Sequence, residues 1–347
     1  EATRASSGRI IQDAATVVPN LVGGSADLAG SNKTTIKSAE FFLPESPTGR
    51  NIHFGIREHA MGGILNGMAL HGGIRPYGGT FLIFADYMRP AIRLAGLMGL
   101  PVTYVFTHDS IGLGEDGPTH QPIEQLLGLR SIPNVMDLRP CDAAETAEAW
   151  KASLARTNGP VFLSLTRQSV PVLDRTTLAP AGGLARGGYV LQEARSGEPD
   201  VILIASGSEV SLALEAAATL GDDGISARVV SLPSWYLFSQ QDPAYRDTVL
   251  PKGVTARVSV EAGSTLGWER WIGEHGVAVG IDHFGASAPS HVLFEKFGVT
   301  SENVVAAAKT ALTRAGINGQ GNTARSAASR VTNGASDSTQ RGASGLG

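Results

Sequence analysis

Thr107-His108-Asp109-Ser110-Ile111-Gly112-Leu113-Gly114-Glu115-Asp116-Gly117-Pro118-Thr119-His120-Gln121-Pro122 is the stretch whose reading decides the fold. It follows an apolar, β-branched run at 102–107 and places Gly112, Gly114 and Gly117 directly behind it. The spacing fits the G-x-G-x-x-G dinucleotide pattern, and Asp137 lies twenty residues beyond Gly117, so a nicotinamide-dependent dehydrogenase is the first reading to test. The details oppose it. Glu115 and Asp116 would set two negative charges beside a pyrophosphate. Pro118 and Pro122 delay the next helix, so no helix N-terminus meets the phosphate directly after the glycines. What remains is a tight polar loop, with His108, Asp109, Glu115, Asp116 and His120, at the C-terminal end of a strand. Open α/β sheets bind ligands there.

Outward from this loop, strand-like and helix-like segments alternate. Short apolar runs at 21–24, 52–54, 102–107, 135–138 and 161–166 predict strands buried on both faces. Helical patterns fall at 58–71, 84–98, 122–129 and 143–156, and the residues before 21 also read as a helix. That order predicts a parallel sheet covered on both sides. Residues 175–188, rich in Gly, Thr and Pro, read as a linker. A second α/β set follows, with strands at 201–205, 227–231 and 256–260 and helices at 209–220, 268–275, 289–297 and 302–314. Ser208 is placed to cap the 209–220 helix. The expected class is therefore α/β, with two consecutive doubly wound, mostly parallel sheet domains at 1–174 and 189–315. From 316 to 347 the chain holds 7 Gly and 5 Ser with no aromatic residue, a composition that predicts a disordered C-terminal tail.

The 347 residues carry 28 Lys plus Arg against 32 Asp plus Glu, a net charge of −4. That balance argues against nucleic acid or a membrane surface as partner. The one cysteine, Cys141, makes no internal disulfide and points to a cytoplasmic setting. The longest apolar run, 97–106, contains Gly99 and Pro101 and is too short to cross a bilayer. No signal peptide is visible. The first residue is Glu1 and not Met, from which an N-terminally truncated or processed chain is expected.

Glu58 opens a helix that continues in Gly, Ala, Met, Ile and Leu. A helix dipole favours an acid there, but so apolar a helix is buried, and a buried carboxylate needs a partner and suits proton chemistry. Phe81, Phe84 and Tyr87 follow one another at i,i+3, the spacing of one helix face. Such a stripe serves either as core or as a wall for a flat heterocycle. No serine-nucleophile, zinc-helix or P-loop motif is present.

These residues carry a family resemblance. Gly23-Gly24-Ser25-Ala26-Asp27-Leu28, Phe54-Gly55-Ile56-Arg57-Glu58-His59 and the whole 107–122 stretch resemble transketolase. So do Arg139-Pro140-Cys141-Asp142, Arg186-Gly187-Gly188-Tyr189-Val190, Ser206-Gly207-Ser208-Glu209-Val210 and Val260-Glu261-Ala262-Gly263. The likeness runs in order from about residue 3 to residue 314.

The resemblance implies a thiamine-diphosphate enzyme that moves a two-carbon ketol unit from a ketose phosphate to an aldose phosphate. It implies the pyrimidine-binding and C-terminal domains of such an enzyme, as homodimer or beside a first-domain partner. The family's diphosphate-binding domain is not in this sequence. Its Gly-Asp-Gly motif with a downstream Asn, which holds Mg²⁺ or Ca²⁺ and the diphosphate, is matched nowhere, and Gly221-Asp222-Asp223-Gly224 departs from it. No metal ligand is therefore expected in this chain. By match, Glu58 hydrogen-bonds the aminopyrimidine nitrogen and promotes removal of the thiazolium C2 proton. Phe84 stacks on the pyrimidine, with Phe81 and Tyr87 around it. Arg4, Ser31, His108 and Arg167 match the sugar-phosphate anchors, two guanidinium groups suiting a phosphate dianion. Asp27 matches an acid near the substrate channel, Asp116 the reader of a substrate hydroxyl, and His120 the group at the donor carbonyl. Arg4 lies near the chain start, where fraying is expected. The resemblance assigns no reacting group to the C-terminal domain, and Trp268, Trp271 and His283 read as packing residues. Deoxyxylulose-phosphate synthase and the β subunits of 2-oxo-acid dehydrogenases share the Glu58-type helix, but the 108–120 loop and Arg167 favour transketolase. A non-catalytic or split-subunit partner is the alternative from another class.

Overall fold

The computed structural model describes residues 1–195 and 197–317. Two sheets follow one another. The first holds β1 (Leu21–Ser25), β2 (Asn51–His53), β3 (Arg75–Phe81), β4 (Thr103–Thr107), β5 (Met136–Leu138) and β6 (Val161–Leu165), in the order β2-β1-β3-β4-β6-β5. Every pairing in it is parallel. The second holds β7 (Tyr189–Gln192), β8 (Val201–Ala205), β9 (Ala227–Ser231), β10 (Arg257–Val260) and β11 (Val277–Val279), in the order β11-β10-β8-β9-β7. Only β7 runs antiparallel there, against β9. Each sheet is sandwiched between helices, with one apolar cluster on each face. The expected α/β class with mostly parallel sheets is what the chain adopts.

Differences from the sequence reading have local causes. β3 went unread because Arg75-Pro76-Tyr77-Gly78-Gly79 looks like a turn. Those glycines are required by packing: a Cβ on Gly78 would lie 2.5 Å from Leu65 Cδ1, and one on Gly79 2.7 Å from Ser25 Oγ. Phe81 consequently ends a strand, Phe84 sits in a short 3-10 turn, and only Tyr87 lies on the Ala85–Met98 helix, so the three rings do not share one helix face. The helix expected at 122–129 is Gln125–Arg130, and the one expected at 268–275 is Glu269–Ile272, stopped by Gly273 at φ 71°. Ser208 caps nothing; its hydroxyl donates to Glu209 Oε1 at 2.6 Å, while Ser206 precedes the Gly207–Glu209 turn.

The 175–188 segment is packed and not a loose tether. It contains the Ala181–Arg186 turn with Leu184 fully buried, and Arg175 bonds Asp142 at 2.9 Å and Tyr189 OH at 3.0 Å. Of the expected tail, Gly316 and Ile317 complete the end of the Ser301–Arg314 helix, with Ile317 N–H donating to Leu312 O at 2.9 Å. Residues 318–347 lie outside the described residues. Among the described residues, no helix is long and apolar enough to cross a membrane.

Candidate active site

The expected site residues emerge from one edge of the first sheet. Asp27 and Ser31 follow β1, Glu58 follows β2, Phe81 ends β3 with Phe84 behind it, His108 follows β4 and Arg167 follows β6. These are the C-terminal ends of parallel strands, where the chain must leave the sheet and where helix N-termini gather. Arg4 joins them from the Thr3–Val17 helix, whose start is pinned to the end of β6. Thr3 N–H donates to Thr166 Oγ1 at 2.9 Å and Thr166 N–H to Thr3 Oγ1 at 2.8 Å. The fraying expected at Arg4 is thus replaced by a buried reciprocal pair.

Glu58 is 7% exposed at the first turn of the Glu58–His71 helix. Thr80 Oγ1, on β3, donates to its Oε1 at 3.3 Å. The aromatic residues and the histidines form one cluster. Phe81 stacks on His108 with ring centroids 3.6 Å apart and on Phe84 at 5.8 Å. His120 meets Phe84 edge-on at 5.5 Å, and Tyr87 lies 5.9 Å from Phe84. Phe81 is buried between two rings, whereas Tyr87 is two-thirds exposed and Phe84 only part-buried. The open face of the cluster therefore belongs to Phe84 and Tyr87.

His108 is buried, stands at φ 62°, and sits within the fields of Arg4, Arg167 and His120. Burial first, then Arg4, Arg167 and His120, push its pKa down to about 3. The neutral ring has its tautomer set by a relay. Thr107 Oγ1 donates to Asn32 Oδ1 at 2.8 Å, so it accepts from His108 Nδ1–H at 2.7 Å. Arg4 Nη1 donates to Ser31 O at 3.0 Å, and burial and Arg167 lower the Arg4 pKa. Two guanidinium groups and an imidazole thus act on one another beside Ser31, and among the described residues no ion pair neutralises Arg4 or Arg167, the makings of an anion site. Asp27, Asp116 and Arg167 are exposed, and His120 is part-exposed with its Nδ1 at 2.9 Å from Thr119 Oγ1.

The glycine loop rules out the dinucleotide reading. Ile111–Leu113 is a single 3-10 turn, and no helix opens until Gln125. Among the described residues, no group of three or more His, Cys, Asp or Glu side chains is placed to hold a metal ion.

Sequence reasoning attached no role to a buried ion cluster directly behind this loop. Arg139 Nε donates to Asp109 Oδ2 at 3.0 Å, and Arg139 Nη1 donates to Glu209 and, at 2.8 Å, to Ser206 O. Arg130 grips Glu261 with two bonds of 2.7 and 2.9 Å and Asp137 with one of 2.9 Å. Burial opposes charge on all of them. Even so, Arg130 and Arg139 draw Glu261 down to about 2, while Asp109, despite Arg139, is raised by burial. The signal was available: charges embedded in apolar strand ends such as Val260-Glu261-Ala262. Trp268 and Trp271 are core, 2% and 4% exposed.

Comparison with known proteins shows which family the chain resembles over both domains. Residues 1–172 match the family model for the transketolase pyrimidine binding domain, and residues 187–300 that for the transketolase-like C-terminal domain. A split-gene transketolase, solved as an inactive β4 tetramer, is 31% identical with a TM-score of 0.73, over 90% of this chain and 98% of that one. This chain belongs to the transketolase family. The transketolase of Geobacillus stearothermophilus is 54% identical over 311 residues, 90% of this chain and 47% of that protein. The transketolase of Pichia stipitis, solved with sedoheptulose 7-phosphate, is 43% identical with a TM-score of 0.86, over 91% of this chain and 46% of that one. The chain spans about half the length of the curated transketolases it matches.

Proposed function

We propose that this chain is the pyrimidine-binding and C-terminal half of a working transketolase, with domains at 1–174 and 189–315 joined through 175–188. It transfers a two-carbon ketol unit from a ketose phosphate to an aldose phosphate, in the cytoplasm. The observation that supports this best is the ring cluster of Phe81, Phe84, His108 and His120, with Glu58 held by Thr80 next to Phe81 and with Arg4 and Arg167 acting on His108, at one sheet edge.

The residues fit half of thiamine diphosphate. The open faces of Phe84 and Tyr87 give a flat ring a wall, and Glu58 offers a buried carboxyl with one hydroxyl donor on it. Among the described residues no group of three or more His, Cys, Asp or Glu is placed to hold a metal ion, and we assign the diphosphate, with Mg²⁺ or Ca²⁺, to a diphosphate-binding domain. When bound, the cofactor supplies the nucleophile for the ketose carbonyl. Glu58 holds a proton at the aminopyrimidine nitrogen. Phe84 fixes the ring plane. His120 donates to the donor carbonyl oxygen and Asp116 accepts from a substrate hydroxyl. Asp27 lines the channel, and Arg4, Ser31, His108 and Arg167 hold the phosphate.

Assembly completes the site. The Glu58–His71 and Ala85–Met98 helices pack together and still expose Ile64, Tyr87, Leu94 and Leu97, a surface suited to a second copy or a first-domain partner. A second reading, a subunit without activity of its own, draws support from the split-gene relative's inactive tetramer. Mixing this chain with xylulose 5-phosphate, ribose 5-phosphate, thiamine diphosphate and magnesium tests both. Sedoheptulose 7-phosphate should form only after a transketolase diphosphate-binding domain is added. Turnover of ~1 s⁻¹ or more by the chain alone would overturn the half-site reading. No turnover with that domain present would favour the non-catalytic one.

A further inference from the structure

The second domain reaches the substrate loop at three points. Glu209 Oε2 accepts from Arg139, which holds Asp109, the residue next to His108. Ser208 Oγ accepts from Gln168 Nε2 at 3.2 Å, and Gln168 adjoins Arg167. At the far end of the loop, Gln121 Nε2 donates to Ala286 O at 3.0 Å, and Ser287 Oγ donates to Glu115 O. The contacts leave no room for slack. A Cβ on Gly207 would lie 2.6 Å from Arg139 Cζ, one on Gly285 1.7 Å from Gln121 Oε1, and one on Gly112 2.3 Å from Gln168.

His108 needs such support. It is a non-glycine residue at φ 62°, a conformation that costs free energy and persists only where its surroundings enforce it. Its Asp109 neighbour is fully enclosed, and its bond to Arg139 fixes where the backbone turns. The cluster is an expensive way to obtain stability alone. Two buried arginines face four buried carboxylates (Asp109, Asp137, Glu209 and Glu261), and desolvation offsets much of their attraction. What it supplies well is directional geometry.

We propose that the second domain is a positioning device for the phosphate side of the substrate site, with Glu209 its main positioning residue, acting through Arg139 and Asp109 on His108. This rests on the reading of His108 as a phosphate anchor. Glu209 is fully buried and acts through its neighbours. Its Oε2 accepts from Arg139 Nη1 and from Ala262 N–H at 3.1 Å while its Oε1 accepts from Ser208 Oγ at 2.6 Å, a set that an amide, with one acceptor oxygen and no charge, cannot reproduce.

The test uses the holoenzyme, this chain together with its diphosphate-binding domain, and four variants. Tyr189→Phe removes bonds to Glu145 and Arg175 at the other inter-domain network, whose hydrogen bonds run to Cys141 and Asp142 and not to residues 107–122. Glu209→Gln should raise KM for a phosphorylated ketose about tenfold, leave KM for an unphosphorylated one within about twofold, and change kcat little. Ser208→Ala, on a part-exposed side chain, should give the same split at about threefold, and it serves if Glu209→Gln does not fold. Tyr189→Phe should leave both KM values unchanged. In the chain alone, backbone amides of 108–114 should exchange faster in the Glu209 and Ser208 variants than in Tyr189→Phe. His108→Ala is the benchmark. If it leaves the phosphate KM unchanged, the site reading falls and the positioning claim with it. If His108→Ala raises that KM while Glu209→Gln and Ser208→Ala do not, positioning alone is overturned. Equal effects on both substrate classes, or on Tyr189→Phe, also overturn it.

Discussion

At the C-terminal edge of the first sheet, β4 runs into His108 and a loop that opens to solvent at Asp116 and His120. At the same edge of the second sheet, β8 runs into Ser206, Gly207, Ser208 and Glu209, of which only Ser208 is part-exposed, and β10 into the buried Glu261. Both edges are strand ends of doubly wound sheets, where such folds place ligands. The first leaves its polar groups partly unmatched and accessible. The second spends the equivalent groups on Arg130 and Arg139 of its neighbour. Fold position makes an edge able to bind; whether it binds a ligand or another domain depends on what already satisfies its polar atoms.

The sharpest way to break this comparison is to alter one carboxylate at each edge. Glu58→Gln in the assembled enzyme should lower kcat by ~10²–10⁴ while sugar KM changes little, the usual cost of losing a positioned acid. Glu209→Gln should spare kcat. Near-normal turnover of Glu58→Gln at saturating cofactor would remove the distinction between a working edge and a docking edge.

Stability should show the reverse ranking. Removing one partner of a buried ion pair strands the other charges, at a cost of about 3–5 kcal/mol. Arg139→Met leaves Asp109 and Glu209 without their guanidinium and should lose about that much in urea unfolding. Glu58, whose partner is one hydroxyl at 3.3 Å, should cost about 1 kcal/mol or less as Gln. An Arg139→Met protein as stable as the parent would mean the second edge is not a docking surface.

A finer cut separates anchors within the first edge. Arg167→Ala and His108→Ala should raise KM for phosphorylated sugars roughly ten- to hundredfold, since each charged hydrogen bond contributes roughly 1.5–3 kcal/mol. Unphosphorylated substrates should be nearly unaffected. Equal effects on both would make these residues structural.

How far each edge was legible follows from the same contrast. The first edge was readable because its chemistry is local in sequence. The 107–122 loop keeps two histidines, three glycines and three acids within sixteen residues, and the apolar runs of β4 and β6 mark strands unaided. The second edge was not. Arg130, Arg139, Glu209 and Glu261 are up to 131 residues apart, and only tertiary packing pairs them. The segments around Arg139, Glu209 and Glu261 were visible as family matches, but nothing in their spacing says that they meet. β3 was hidden for a further reason. Glycines that accommodate Leu65 and Ser25 look, in one dimension, like glycines that make a turn. Phe81 was placed on a helix face because i,i+3 spacing cannot reveal that a strand ends inside it.

The smallest expected effect is a pH dependence that isolates His108 from the buried cluster. In the folded chain its pKa is about 3, lowered by burial, Arg4, Arg167 and His120; unfolded, it returns to near 6.5. The unfolded chain therefore binds a proton below about pH 6.5 that the folded chain refuses until about pH 3. Stability must fall as pH falls through that window, with a limiting slope of about 1.4 kcal/mol per pH unit for one proton. Glu261 works in the same direction but lower, its stabilisation being lost as pH drops from the ordinary 4.5 toward about 2. Asp109, raised by burial against the pull of Arg139, opposes both, since protonation relieves it. Between pH 6.5 and 4.5 His108 is thus separable from Glu261. His108→Asn is the informative variant, because asparagine tolerates the left-handed backbone that His108 adopts. Urea midpoints measured at pH 6.5, 5.5 and 4.5 should drop more steeply in the parent than in His108→Asn, the remaining histidines being common to both. Parallel curves would show that His108 is not held neutral at the first edge. The open edge would then lose the electrostatic character that sets it apart from the closed one.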